Sequence, residues 1–258
     1  MIFASTFATA ALVFVLGLVL GSFYNVCIHR YLSGESIVSP GSHCPNCLRR
    51  LKWWENLPLL SYILLRGRCS SCGEGISARY PAVELISGIW LLALYLEFGL
   101  GGPWAVHLVF GGLLIVLSFI DLESFVLPDI MVLPGAAASF VCSGLVLHPG
   151  WLESFLGAVL GAGAFLLLQK GYKLLKGVEG LGSGDIKLML LLGALVGWRL
   201  LPLMVFLSAI CGLAVSLIYI SSPKGRGMQT AIPFGPFLSL GAMLTILWGP
   251  EIWQWYLY

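Results

Sequence analysis

The sequence predicts an all-α polytopic membrane protein, with about eight transmembrane helices and one small polar insertion. Three observations carry this reading. Of 258 residues, 59% are hydrophobic and only 10% charged, against roughly 25% charged in soluble domains. Apolar runs recur at about the 20 residues that cross a hydrocarbon core about 30 Å thick. Lys and Arg fall almost entirely on alternate connections, as the positive-inside rule requires.

Eight runs meet or approach that length: 6–26, 82–100, 104–120, 130–148, 152–169, 185–198, 201–220 and 232–250. The first has no Lys or Arg ahead of a long apolar stretch, so it reads as a retained helix rather than a cleavable signal peptide. The 185–198 run is short, and the junctions from Gly197 to Pro202 can be drawn differently, which leaves seven spans open. Trp104, Trp151, Trp198, Trp248 and Trp253 stand at run ends, where interfacial aromatic belts form. Pro and Gly in 221–230 mark a short loop after the seventh run.

Alternating spans put Arg30, Arg49, Arg50, Lys52, Arg66, Arg68 and Arg79 on one side. Lys170, Lys173, Lys176, Lys187, Lys224 and Arg226 join them, and Arg199 alone falls opposite. That side is cytoplasmic, and both termini lie across the membrane from it. The chain then divides into a first transmembrane helix (1–28), a cytoplasmic loop (29–80) and a transmembrane core (81–258).

The loop is the one polar stretch long enough to fold separately, and it holds four of the seven cysteines. Cys44-Pro-Asn-Cys47 and Cys69-Ser-Ser-Cys72 are two CxxC knuckles separated by residues 48–68, close to the spacing of four-cysteine zinc sites. Two knuckles supply the tetrahedral thiolate shell that zinc prefers, with no coordination position left open, so the metal would be structural. It would replace a hydrophobic core too small for so short an insertion. Disulfides or paired redox sites are the competing readings, and a cytoplasmic location counts against stable disulfides. Cys27, Cys142 and Cys211 sit in apolar stretches and read as packing residues, and His43 reads as a surface neighbour of Cys44.

Carboxylates are costly in a bilayer, so acids at helix ends become functional candidates. Asp121 closes the third run, Asp129 opens the fourth, and Asp185 opens the sixth after Gly182-Ser183-Gly184. Two carboxylates sharing a site hold one proton between them, which is what aspartyl proteolysis needs. The ionised acid activates water and the protonated one donates to the scissile carbonyl. The glycines would let an extended substrate approach the backbone. Capping explains Asp129 and Asp185 equally well, but Asp121 at a helix C-terminus opposes the macrodipole. Ion binding for transport uses the same acids.

Other chemistries find little support. His29, His43, His107 and His148 are scattered, and no GxSxG or HExxH occurs. Gly157 to Gly163 lie within an apolar helix, where close packing explains them better than nucleotide binding. Nothing points to nucleic acid.

Several motifs are similar to those of the type IV prepilin leader peptidases, along nearly the whole chain. The stretch Gly21-Ser-Phe-Tyr-Asn-Val-Cys-Ile-His-Arg30 resembles that family's GSFxNVxxxR signature. The two knuckles follow, with Trp53-Trp-Glu-Asn-Leu-Pro58 between them and Arg79-Tyr-Pro-Ala-Val-Glu84 after. Then come Asp121 through Leu127-Pro128-Asp129, Gly182-Ser-Gly-Asp-Ile-Lys187, and Pro233-Phe-Gly-Pro236.

The resemblance implies a GxGD-type intramembrane aspartyl peptidase with Asp121 and Asp185 catalytic, and with Asp129, Gly182, Gly184 and Lys187 supporting. It further implies removal of the basic leader from prepilins or pseudopilins at the cytoplasmic face of the bacterial inner membrane. N-methylation of the new terminus from S-adenosylmethionine would follow. Arg30, Glu55, Asn56, Arg79 and Glu84 are candidates for a methyl-donor pocket, or braces for the loop. A protease of other single-span substrates, or an ion-coupled transporter with the same acids, is the alternative. A transporter would place its acids nearer the bilayer centre, often with inverted repeats.

Overall fold

The computed structural model of the chain describes residues 2–177, 180–220 and 232–257. The expected loop 221–230, with Lys224 and Arg226, lies outside them. Among the described residues the regular structure is helical, apart from two isolated bridges. The elements are α1 (Ile2–Ser33), a 3-10 turn (Trp53–Asn56), α2 (Leu60–Leu64), α3 (Arg79–Phe98), α4 (Gly102–Ser124), α5 (Asp129–Leu145), α6 (Gly150–Lys176), α7 (Ser183–Val196), α8 (Leu201–Ile220) and α9 (Gly235–Leu257).

The expected eight spans correspond to α1 and α3 through α9. Five of these, α1, α3, α4, α6 and α8, are each long and apolar enough to cross a bilayer, so this is a multi-pass membrane protein. The short sixth run has a physical explanation. At 14 residues, α7 is about 21 Å long, less than the hydrocarbon thickness. Its Leu188, Met189, Leu191 and Leu192 are fully buried among α5, α6 and α9. An apolar helix of this length, buried this fully, serves as core.

Two compact units make up the chain, Met1–Val116 and Leu117–Tyr258. In the first, α1 packs on α3 through small residues. A Cβ on Gly17 would stand 2.6 Å from the Ser87 carbonyl oxygen, and one on Gly21 would stand 2.6 Å from Glu84 Cα. In the second, α6 meets α7 just as closely, since a Cβ on Gly157 would fall 2.1 Å from the Gly193 carbonyl oxygen. This is the small-residue packing expected of helices in lipid. Ser154 Oγ donates to the Ala194 carbonyl (2.7 Å) and Ser139 Oγ to that of Leu191 (3.2 Å), fixing α7 against both neighbours.

Candidate active site and metal centre

Asp121 occupies the last turn of α4 and Asp185 the first turn of α7; both are buried. They lie close enough for the charge of Asp121 to act on Asp185. Each carboxylate accepts a main-chain N–H from the start of a helix. Asp121 takes it from Gly235, the first residue of α9, and Asp185 from Gly182, the N-cap of its own helix. The adverse dipole of α4 at Asp121 is thus met by the favourable N-terminus of α9. Asp185 at the third helical position makes half of a capping box.

Three glycines set the spacing. A Cβ on Gly235 would fall 2.6 Å from Asp121 Oδ2, and one on Gly182 would fall 3.3 Å from Asp185 Oδ2. One on Gly184 would fall 3.1 Å from the Leu127 side chain. Leu127 is itself buried, and its Cδ1 lies 3.5 Å from the same Gly235 position. This leucine therefore sits between the turn that carries Asp185 and the turn that caps Asp121.

Gly235 and Leu127 carry roles that the sequence reading did not assign; Pro233-Phe-Gly-Pro236 marked the place without its purpose. Gln169 was missed altogether: its Nε2 donates to the Leu181 carbonyl (2.8 Å) and anchors the approach to Gly182. Lys187 Nζ lies 2.7 Å from both oxygens of Asp129, joining the first turn of α5 to the second turn of α7.

The sulfurs of Cys44, Cys47, Cys69 and Cys72 lie within 4.8 Å of one another. A tetrahedral shell with Zn–S near 2.3 Å has edges of about 3.8 Å, and Cys44 Sγ to Cys72 Sγ is 3.8 Å. The donor set therefore fits a metal ion. The two knuckles are built alike. Cys44 N–H bonds the Arg49 carbonyl and Leu48 N–H the Cys44 carbonyl; Cys69 N–H bonds that of Glu74 and Gly73 N–H that of Cys69. Leu48 and Gly73 both take left-handed φ, 57° and 73°. Cys27, Cys142 and Cys211 are half-buried free thiols, and His43 Nδ1 lies 3.1 Å from the Gly41 carbonyl.

Glu55 ties the knuckles together. It accepts Arg49 Nη2 and the Lys52 N–H, each at 2.7 Å, and the Ser70 hydroxyl. These donors hold its carboxyl at about 2, well below the usual carboxylate range. Several of the residues named for a methyl-donor pocket bond within the protein. Glu55 does so here; buried Arg30 donates to the Ser36 and Pro40 carbonyls, and buried Glu84 accepts the Leu59 N–H (2.8 Å) and the Ser22 hydroxyl. Asn56 is exposed, and the Arg79 guanidinium lies 4.9 Å over the Tyr80 ring.

Comparison with known proteins matches two consecutive family models. Residues 15–98 match the bacterial peptidase A24 N-terminal domain, and residues 108–217 match the type IV leader peptidase family. The chain belongs to the type IV leader peptidase family. Relatives called prepilin leader peptidase/N-methyltransferase include that of Stutzerimonas stutzeri, 37% identical over 94% of this chain and 92% of the relative. Those of Pseudomonas aeruginosa and Aeromonas hydrophila are each 36% identical, over 94% and 96% of this chain and 91% and 93% of the relative. No solved structure matches the chain. In this leader peptidase family member, the matched stretches contain the four cysteines and both buried aspartates.

Proposed function

We propose that this chain removes the basic leader of type IV prepilins or pseudopilins by aspartyl proteolysis and then N-methylates the new terminus. The observation that carries the proposal is a pair of buried carboxylates, Asp121 and Asp185, at the ends of α4 and α7, near enough for one charge to act on the other and each accepting an N–H at a helix start. Family membership supports the substrate class. One carboxylate deprotonates the attacking water while the other, protonated, donates to the scissile carbonyl oxygen; the roles reverse as the intermediate collapses. The main-chain donors keep both side chains in place without adding a competing acid or base. Gly182 and Gly184 let the turn before Asp185 close onto Asp185 and Leu127 without a side chain between, and the Asp129–Lys187 pair joins α5 to α7 at the same end.

Zinc would be held by Cys44, Cys47, Cys69 and Cys72 and would fix the fold of loop 29–80, with no open position for substrate. The peptidase core is assigned to 81–258. The loop and the acids would work at the cytoplasmic face of the inner membrane, in contact with lipid, as the Lys and Arg distribution supports. S-adenosylmethionine, when bound, supplies an electrophilic methyl group.

The test uses purified enzyme in lipid with a prepilin whose Lys/Arg leader ends in Gly before Phe. Wild type, Asp121→Asn and Asp185→Asn are compared by mass spectrometry, with and without S-adenosylmethionine. Wild type should remove the leader and add the mass of one methylene, while neither folded, zinc-loaded variant cleaves. Cleavage by either variant at the wild-type rate would overturn the dyad.

A further inference from the structure

The proteolytic chemistry uses nothing from the α1–α3 pair, yet that pair buries polar groups at one end. Asn25 is 1% exposed; its Nδ2 donates to the Tyr80 carbonyl (2.9 Å), and its Oδ1 has no hydrogen-bond partner. A buried acceptor left open costs about 1–3 kcal/mol, so its retention asks for a ligand that donates. One turn along the same helices stands a carboxylate. Gly21 is one turn before Asn25, and its Cβ position touches Glu84 Cα, while Glu84 is one turn after Tyr80. Asn25 and Glu84 thus stand about one helical turn apart along one antiparallel seam.

Glu84 is 8% exposed and accepts the Leu59 N–H and the Ser22 hydroxyl. A carboxylate offers about four lone-pair sites, so accepting capacity remains. Gly21, Ser22 and Asn25 leave the seam narrow at Gly21 and polar on either side. An open amide oxygen beside a buried carboxylate suits a group with several N–H donors and a proton to lose, which describes a primary ammonium.

We propose that Asn25 and Glu84 receive the newly exposed N-terminal ammonium of the substrate for methylation, an assignment that rests on the methyltransferase activity proposed above. Glu84 takes one proton from the ammonium. Asn25 Oδ1 accepts a hydrogen bond from a remaining N–H and aims the freed lone pair. The nitrogen then forms a bond to the methyl carbon of the sulfonium donor. The carbon–sulfur bond breaks with its electron pair staying on sulfur, leaving a neutral thioether and a singly methylated ammonium.

The test compares Glu84→Gln and Asn25→Ala with wild type in lipid. Leader removal, zinc content, methylation and calorimetric binding of S-adenosylhomocysteine are measured on the same preparations. Expected are wild-type cleavage and zinc in both variants, with methylation falling about a hundredfold in Glu84→Gln, the usual weight of a proton acceptor. In Asn25→Ala it falls about tenfold, the weight of one hydrogen bond. S-adenosylhomocysteine, which lacks the transferred methyl and does not occupy the place of the substrate amine, should bind Glu84→Gln as it binds wild type. Unchanged methylation in both variants overturns the assignment, and so does loss of cleavage and zinc together with methylation, which makes the residues structural. A wild type that cleaves without methylating overturns the activity itself, a result distinguishable from failure of the two residues.

Discussion

Replacing Gly235 by Ala tests how Asp121 is held. The new Cβ would stand 2.6 Å from Asp121 Oδ2 and 3.3 Å from its Cγ. Ordinary contact begins near 3.4 Å, so the oxygen must retreat by about 0.8 Å. It is the free end of a side chain, so it can swing away cheaply; the fold should survive, because Leu127 Cδ1 at 3.5 Å is already in ordinary contact. Swinging away breaks the bond from the Gly235 N–H. A hydrogen bond to a charged group contributes roughly 1.5–3 kcal/mol, which converts to a rate loss of roughly 10- to 150-fold if it is needed in the transition state. A displacement near 1 Å at a reacting group is consistent with that range. Initial rates of leader removal across substrate concentration should show the loss in kcat, with KM and melting temperature near wild type. Gly163→Ala is the control, since nothing lies within 4 Å of its Cβ position. A Gly235→Ala enzyme with wild-type kcat would refute the view that this N–H positions the acid.

Other expectations follow from the same geometry. Gly157→Ala or Gly193→Ala should lower the melting temperature sharply, because each Cβ would meet backbone at 2.1 or 2.2 Å and overpacking of that kind costs about 1–3 kcal/mol. A double-mutant cycle on Asp129 and Lys187, both partly exposed, should give a coupling no larger than about 1 kcal/mol. The folded Glu55 carboxyl at about 2 lies below its ordinary 4.5, so its contribution is complete above 4.5 and is lost as pH falls toward 2. The melting-temperature gap between wild type and Glu55→Gln should therefore be flat from neutral pH down to about 5 and close below that. Elemental analysis should find one zinc per chain, and Cys69→Ser should lose it and expose the loop to protease.

Much of this was legible in the residues. Charges are so rare in the chain that Asp121 and Asp185 stood out as candidates, the two CxxC spacings marked the four cysteines that the fold gathers, and the eight runs became eight helices. Other features left weaker marks. Whether α7 crosses alone depends on its burial among α5, α6 and α9, which no local pattern records. Glu55 could have been a ligand or a brace, because its partners Arg49 and Ser70 lie 6 and 15 residues away and only the folded loop joins them. Leu127 looked like any leucine of an apolar chain until Gly184 and Gly235 were seen on either side.

The donors that hold the two acids are peptide N–H groups, present whatever side chain a residue bears. A scan that trims side chains one at a time would pass over them, report the neighbourhood as permissive, and leave the aspartates seemingly unsupported. Only crowding at a glycine, or exchanging an amide for an ester in the main chain at residues 182 or 235, would expose the dependence.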